Sequence, residues 1–315
     1  MEAVKYSLIV PVYRNEASIP ELVEVIWRLN DSLGGALEAV LVVDGSPDRS
    51  AEILDAALLH ANVRAQLLVL SRNFGSFAAI RAGLAAASGR YCATMAADLQ
   101  EPESLALDLF RALEHEPVDV ALGVRTSRSD PWRSRLASSA FWSLYRTFVQ
   151  RDIPAGGVDV FACNGAVRDH LLQLEESNSS LIGQVMWLGF RRKLVPYVRL
   201  PRRHGRSAWT LSRKLRYLVD SVYSFSDLPI RVLTWAGFIG LITSSVLAIA
   251  VIIAKVQGDI PIPGYAATVL TIIFFAALNS FGLGIIGGYT WRAFENTKRR
   301  PQAIVLAHKT FNAEA

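Results

Sequence analysis

The chain is poor in cysteine, histidine and charge. Two cysteines in 315 residues, Cys92 and Cys163, exclude a disulfide framework and a Cys-rich metal site, and read as buried thiols in a reducing compartment. The five histidines (His60, His115, His170, His204, His308) form no ligand spacing, and HExxH is absent. Neither GxGxxG nor GxxxxGK[ST] follows the first apolar run, so a dinucleotide site or a P-loop has no motif behind it. Charged residues make up 19% and apolar residues 51% of the chain; against ~25% charged in soluble domains, this excludes both disorder and a wholly soluble protein. The opening MEAVKYSLIVPV has a short apolar run broken at Pro11 and no small-residue cleavage site, so no signal peptide is expected and the N-terminal part is expected to fold in the cytosol. An excess of 33 Lys+Arg over 28 Asp+Glu gives +5. That balance suits an anionic partner: nucleic acid, nucleotide or lipid headgroup.

Hydrophobicity is unevenly spread. Leu233–Ala254 is 22 residues without a charge, about 33 Å of helix against a hydrocarbon core of ~30 Å. A second uncharged stretch runs from Ile260 to Trp291, and Lys255, Asp259, Pro261, Pro263 and Gly264 between them read as a turn. The pair predicts a transmembrane hairpin with spans over 232–255 and 265–290. Basic residues lie outside it, Arg213, Lys214, Arg216 and Arg231 before and Arg292, Lys298, Arg299 and Arg300 after. Both termini are therefore expected in the cytoplasm, in a multi-pass protein of the inner (plasma) membrane. Trp209–Leu228 spaces Leu211, Leu215, Leu218, Val219 and Val222 at helical intervals between basic residues, and Pro131–Arg151 has the same character. Both read as interfacial amphipathic helices. Gly282, Gly284, Gly287 and Gly288 offer close-packing surfaces, for the hairpin itself or for a homo-oligomer. Lys298–Pro301 reads as the end of the ordered part, with a loose tail to Ala315.

From Tyr6 to about Pro201 apolar runs alternate with helical stretches. The pattern predicts strands at Tyr6–Val12, Ala39–Val43, Gln66–Leu70 and Tyr91–Ala96, and helices at Ile19–Leu33, Ser50–His60 and Phe77–Ala87, the last ended by Gly89. Strands alternating with helices imply an α/β fold with a mostly parallel sheet, whose ligands bind outside the carboxyl ends of the strands. Polar clusters fall at those ends: Tyr13–Glu16, Asp44-Gly45-Ser46, Ser71-Arg72-Asn73 and Asp98-Leu99-Gln100.

The segments VPVYRNEASIPEL, VVDGSPDRS, LSRNFGSFAAIRAGLAAASGRY and MAADLQEP resemble family-two glycosyltransferases of the GT-A fold. With GVDVF at 157–161, RRHGRSAW at 202–209 and the two apolar stretches, the chain resembles more narrowly the polyprenyl-phosphate glycosyltransferases, such as dolichol-phosphate mannose synthases and bacterial undecaprenyl-phosphate glucosyltransferases. The resemblance implies a GT-A catalytic domain over 1–205, a juxtamembrane helix over 206–231, the hairpin, and a cytoplasmic tail over 291–315. It implies transfer of one sugar from a nucleotide-diphosphate donor, UDP by likeness to the bacterial branch, to a polyprenyl phosphate in the bilayer, with no nucleic-acid partner.

The same resemblance assigns residues. Asp98 and Gln100 match the second acid of a D-x-D element and the Gln after it, which hold Mg²⁺ or Mn²⁺; carboxylate and amide oxygens suit such hard ions. The nucleotide sugar is expected along Pro11, Tyr13 and Glu16, with Asp44, Arg72 and Asp98. Asp159 matches an acid on the acceptor side, and Arg202 the Arg of an R-x-x-G loop; with Arg125 and Arg128 it forms a candidate phosphate clamp. Asp98, Asp159 and Arg202 are the expected catalytic group. The chain departs from the family pattern at Val43, Ala96, Ala208 and Ser177, where acids or cations are usual. A transferase elongating a saccharide and a catalytically silent scaffold remain open as alternatives.

Overall fold

Apolar residues at every second position build a sheet covered on both sides. The computed structural model describes residues 4–127, 146–147, 153–154, 157–176, 179–201, 211–257 and 264–312. In β1 (Tyr6–Val12), Tyr6, Leu8, Val10 and Val12 enter one core cluster and Ile9 the other. In β2 (Leu37–Val43), Leu37, Ala39, Leu41 and Val43 face the first cluster and Val40 and Val42 the second. This is the period of two expected of strands buried on both faces.

The first face is covered by α1 (Ile19–Ser32), α2 (Ser50–Leu58) and α4 (Glu103–His115). Helix α1 follows from Ile19, Leu22, Val25, Ile26 and Leu29 on one stripe, with Pro20 in its first turn, where a missing N–H costs nothing. The second face is covered by α3 (Ser76–Ala86), α5 (Gly165–Gln173) and α6 (Leu181–Trp187). Helix α3 starts and ends one residue before the expected Phe77–Ala87. Gly89 serves a close approach, since a Cβ there would stand 2.7 Å from the backbone N of Ser7.

With β3 (Arg64–Leu70), β4 (Tyr91–Thr94), β5 (Val120–Ser127), β6 (Val160–Asn164), β7 (Arg192–Val198) and β8 (Val305–Phe311), the sheet order is β7-β5-β6-β4-β1-β2-β3-β8. Strands β4, β1, β2 and β3 pair in parallel, as do β5 and β7, while β6 and β8 run against their neighbours. The carboxyl ends of β1–β4, β5 and β7 therefore share one edge of the sheet.

Strand β8 corrects the expectation of a loose C-terminal tail. The chain returns from its long helices and adds an antiparallel edge strand to β3, with Ala65 opposite Phe311 and Leu70 opposite Val305. Apart from Phe311 its residues are exposed, so ladder hydrogen bonds hold it more than side-chain burial. Ser71 N–H reaches Ile304 O at 2.9 Å, and Lys309 pairs with Asp55 at 2.7 Å. His308 Nε2 donates to Gln66 Oε1 at 2.7 Å. Gln66 in turn donates to buried Glu38, whose carboxylate also accepts from Ser7 Oγ and Ser88 N–H.

Three helices lie between β7 and β8. Helix α7 (Leu211–Phe225) is followed after two residues by α8 (Leu228–Gln257) and then by α9 (Tyr265–Thr297). Helix α7 packs on the second face of the sheet domain through Leu218 and through Phe225, whose ring a Cβ on Gly183 would strike. Arg292 of α9 pairs with Asp220 of α7 at 2.5 Å. Gly282 lets Leu233 approach and Gly288 lets Tyr223 approach, so these two glycines serve intrachain packing, while Gly284 and Gly287 have nothing within 4 Å. Among the described residues, no helix is long and apolar enough to cross a membrane. The uncharged run Leu233–Ala254 lies wholly in helical backbone, and Leu241 and Ser244 within it fall outside the described side chains. Of the amphipathic stretch expected at Pro131–Arg151, only residues 146–147 are described.

Deleting residues 303–315 should lower the melting temperature of the purified protein by about 5 °C or more and raise its tendency to aggregate, because the edge of β3 and Gln66 lose their partners. Thermal unfolding with light scattering measures both, and an unchanged transition would contradict the role given to β8.

Candidate active site

The strand ends at the shared edge are tied to one another by loop hydrogen bonds. After β1, Arg14 N–H donates to Ser46 Oγ at 2.8 Å, and Glu16 accepts Arg49 N–H at 3.1 Å. Asp48 accepts from Ser46 Oγ at 2.6 Å and from Ser50 N–H at 3.2 Å; burial works against its charge, but these bonds hold its pKa below the usual carboxylate value. Residues 14–18 with Pro47 and Asp48 line a cavity of about 380 Å³. Half-buried Pro11 and Tyr13 lead into it from β1.

Asp44, expected along the nucleotide, is held by the backbone of a neighbouring strand end. Only 2% exposed, it accepts Phe74 N–H at 2.7 Å and Gly75 N–H at 2.8 Å, one on each oxygen. Each oxygen takes one backbone N–H at the start of α3, so Asp44 shapes the β3–α3 loop and keeps one acceptor site on each oxygen. Burial raises its pKa, and the two backbone bonds pull against that. Gly45 beside it has φ +55°, and a Cβ there would overlap the backbone of Arg72 and Asn73. Glycine is required where these two strand ends touch. Arg72 is exposed, its guanidinium 3.9 Å from the Phe74 ring centroid, where a cation–π contact holds it at the rim.

Beyond β4 the loop 96–101 closes on itself. Glu101 Oε2 accepts Ala96 N–H at 3.2 Å, Asp98 Oδ1 accepts Gln100 N–H at 3.3 Å, and Ser18 Oγ reaches Ala97 O at 2.8 Å. Asp98 is half-buried, and Gln100 is buried and engaged with the exit of β7. Leu200 N–H donates to Gln100 O at 2.8 Å, Gln100 Nε2 donates to Leu200 O at 3.2 Å, and Arg199 Nη2 donates to Gln100 Oε1 at 2.5 Å. Burial, then the charges of Asp98 and Asp159, push the Glu101 carboxyl up to about 7.

On the other side of the edge Asp159 is gripped by two residues from neighbouring strands. Arg125 of β5 forms a bidentate ion pair with its carboxylate, and Tyr197 of β7 donates its hydroxyl to Oδ2 at 2.6 Å. Arg125 and Tyr197 are register partners, so the β5–β7 pairing itself sets the grip. Burial opposes the Arg125 charge, but the bond to Asp159 outweighs it and raises the guanidinium pKa; burial, then the charge of Asp159, raises that of Tyr197. Arg125, expected to hold a phosphate, is thus engaged by Asp159. Arg128, Arg202 and Ala208 lie outside the described residues. The sequence reading missed Glu101, Tyr197 and Arg199, although a Tyr-Val-Arg run just before the basic loop was visible.

For Mg²⁺ or Mn²⁺ the donor set is two hard oxygens, the Asp98 carboxylate and the Gln100 amide. Ala96 adds none, and among the described residues no three His, Cys, Asp or Glu side chains form a metal-holding group. One or two protein oxygens completed by substrate phosphates and water are how small hexacoordinate cations are commonly bound. The residues fit a cation shared with a diphosphate, not a closed protein cage.

A doubly covered, mostly parallel sheet with acids and amides at its carboxyl edge is the architecture of a nucleotide-sugar transferase. Residues 7–173 match the family described as Glycosyl transferase family 2, and the chain belongs to that family. An uncharacterized glycosyltransferase of Bacillus subtilis, YkcC, is 31% identical over 303 residues, covering 96% of this chain and 93% of the relative. A bactoprenol glucosyl transferase of Shigella phage SfV is 29% identical over 307 residues, covering 97% and 99%. Glucosyl-3-phosphoglycerate synthase of Mycobacterium tuberculosis, solved with Mn²⁺, UDP-glucose and phosphoglyceric acid, shares the fold at a TM-score of 0.50 and 17% identity, over 70% of this chain and 79% of that one. The protein is a glycosyltransferase with a GT-A-like domain.

The raised pKa of Glu101 makes stability depend on pH. Folded, the carboxyl titrates near 7, against 4.5 for the ordinary group. Between those values the folded protein keeps a proton that the unfolded chain releases, so stability falls as pH rises from about 4.5 through 7, by on the order of 3 kcal/mol in all. Glu101→Gln keeps an acceptor for Ala96 N–H and should flatten that slope; melting curves across this range for both proteins measure it, and parallel curves would count against the buried charge.

Proposed function

We propose that the protein transfers a single sugar from a nucleotide-diphosphate donor, UDP-linked by preference, to a polyprenyl phosphate of the undecaprenyl type at the cytoplasmic face of the plasma membrane. One observation carries the reading: the Asp98–Gln100 loop and the Asp159–Arg125–Tyr197 group share one sheet edge in a chain that also holds two helices with large apolar side chains in the open. On α8, Trp235, Phe238, Ile239, Ile242, Val246, Ile249 and Ile253 are exposed, and on α9, Ile272, Phe274, Phe281, Leu283 and Ile286. A surface of that kind marks contact with lipid or protein. Together with the uncharged runs and the basic residues outside them, it supports a membrane hairpin with the catalytic domain and both termini on the cytoplasmic side. The name of the phage relative, a bactoprenol glucosyl transferase, supports a lipid acceptor.

The chemistry follows from the acceptor. A phosphate monoester has a second pKa near ~6, so at neutral pH it is mostly dianionic and attacks without a general base. Asp159, held by Arg125 and Tyr197, is then an orienting acid, and Arg125 places positive charge where an incoming phosphate needs it. In-line attack at the anomeric carbon inverts its configuration through an oxocarbenium-like state. Asp98 and Gln100 would hold the divalent cation, which when bound neutralises the diphosphate as the glycosidic bond breaks.

Membranes containing the protein, supplied with radiolabelled UDP-sugars and undecaprenyl phosphate, should yield a mild-acid-labile lipid product. Asp98→Ala should reduce its formation by about 10²-fold or more. Label in polymer without label in lipid would point to a saccharide acceptor, and full activity of the Asp98 variant would place the donor site elsewhere.

A further inference from the structure

The amide of Gln100 is oriented by its two neighbours. Leu200 O can only accept, so Nε2 faces it, at 3.2 Å; a guanidinium can only donate, so Oε1 faces Arg199, at 2.5 Å. The oxygen offered to a cation is thus the one that Arg199 already engages. A divalent ion on the same oxygen would stand within about 5 Å of the guanidinium, and the two like charges would repel. Arg199 Nε, meanwhile, is buried with no hydrogen-bond partner. The guanidinium is bonded through Nη2 and unsatisfied at Nε, and a planar fork of that kind matches the oxygens of a diphosphate.

We infer that Arg199 competes with the divalent cation for Oε1 of Gln100, and that a nucleotide diphosphate, by drawing the guanidinium onto its own oxygens, makes cation binding conditional on nucleotide binding. The inference rests on the donor-site reading above and adds a residue that couples its two ligands. The loss of an acid at Ala96 sharpens the competition: with Asp98 and Gln100 as the protein donors, the oxygen that Arg199 engages is half of the set. Coupling of this kind is reciprocal, so the cation should favour nucleotide binding by the same factor.

The test is Mn²⁺ binding to the purified full-length protein in detergent, read from the paramagnetic resonance signal of free Mn²⁺, with and without UDP and with GDP in parallel. Arg199→Met should bind Mn²⁺ without nucleotide about fivefold tighter or more than the unaltered protein, and UDP should tighten Mn²⁺ binding less in the variant. Arg199→Gln, neutral but polar, should shift affinity the same way, and circular dichroism melts check that both variants fold. Equal or weaker Mn²⁺ binding by the folded variants without nucleotide overturns the inference, as does no Mn²⁺ binding by any of the three proteins. An unaltered protein that binds Mn²⁺ but neither UDP nor GDP overturns the donor reading instead, and Arg199 is then judged on the nucleotide-free Mn²⁺ affinities alone.

Discussion

The hold of the β7 exit on Gln100 is the contact on which the site depends. Three hydrogen bonds join residues 199 and 200 to a residue about one hundred positions earlier, and they fix the loop that carries Asp98. The same strand, two residues before, presents Tyr197 to Asp159. One strand therefore sets both halves of the site, the acid–amide loop after β4 and the carboxylate before β6. Glu101 feels the charges of Asp98 and Asp159 together, which places the two halves within electrostatic reach of each other.

The second constraint concerns the helices. They leave the sheet after β7, at one of its edges, and return through β8 at the other, so the sheet is held at both edges by the chain that enters and leaves the long helices. The Arg292–Asp220 pair and the Leu218 and Phe225 contacts dock α7 between the catalytic domain and the long helices. Gly282 and Gly288 are already used for intrachain packing, while Gly284 and Gly287 face open space.

Much of the domain was legible because its signals are local. The strand expected at Tyr6–Val12 has those bounds in the structure, and the helix expected from Ile19 ends one residue early, at Ser32. The strand expected through Ala96 stops at Thr94, where the pairing with β1 ends. Buried apolar side chains at period two or 3.6 leave a pattern that one window of sequence contains. Strand β8 left none, because its residues are exposed and its stability lies in backbone bonds to a strand some 240 positions away. The partners of Asp44 were hidden for a related reason: a D-G-S turn fixes where the acid sits, while the N–H groups that bond its oxygens come from Phe74 and Gly75. Arg199 and Tyr197 acquire meaning only from partners brought by the fold from far along the chain.

In the proposed reaction a lipid phosphate reaches the edge of the sheet beside Asp159, Arg125 and Tyr197. The most direct measurement is photocrosslinking of the full-length protein in lipid bilayers with a polyprenyl phosphate bearing a photoreactive group next to the headgroup, followed by peptide mapping. The account predicts crosslinks within 120–127, 157–164 or 192–199, suppressed by unlabelled polyprenyl phosphate. Crosslinks confined to 228–257 and 265–297, with the sheet edge unlabelled, would contradict it.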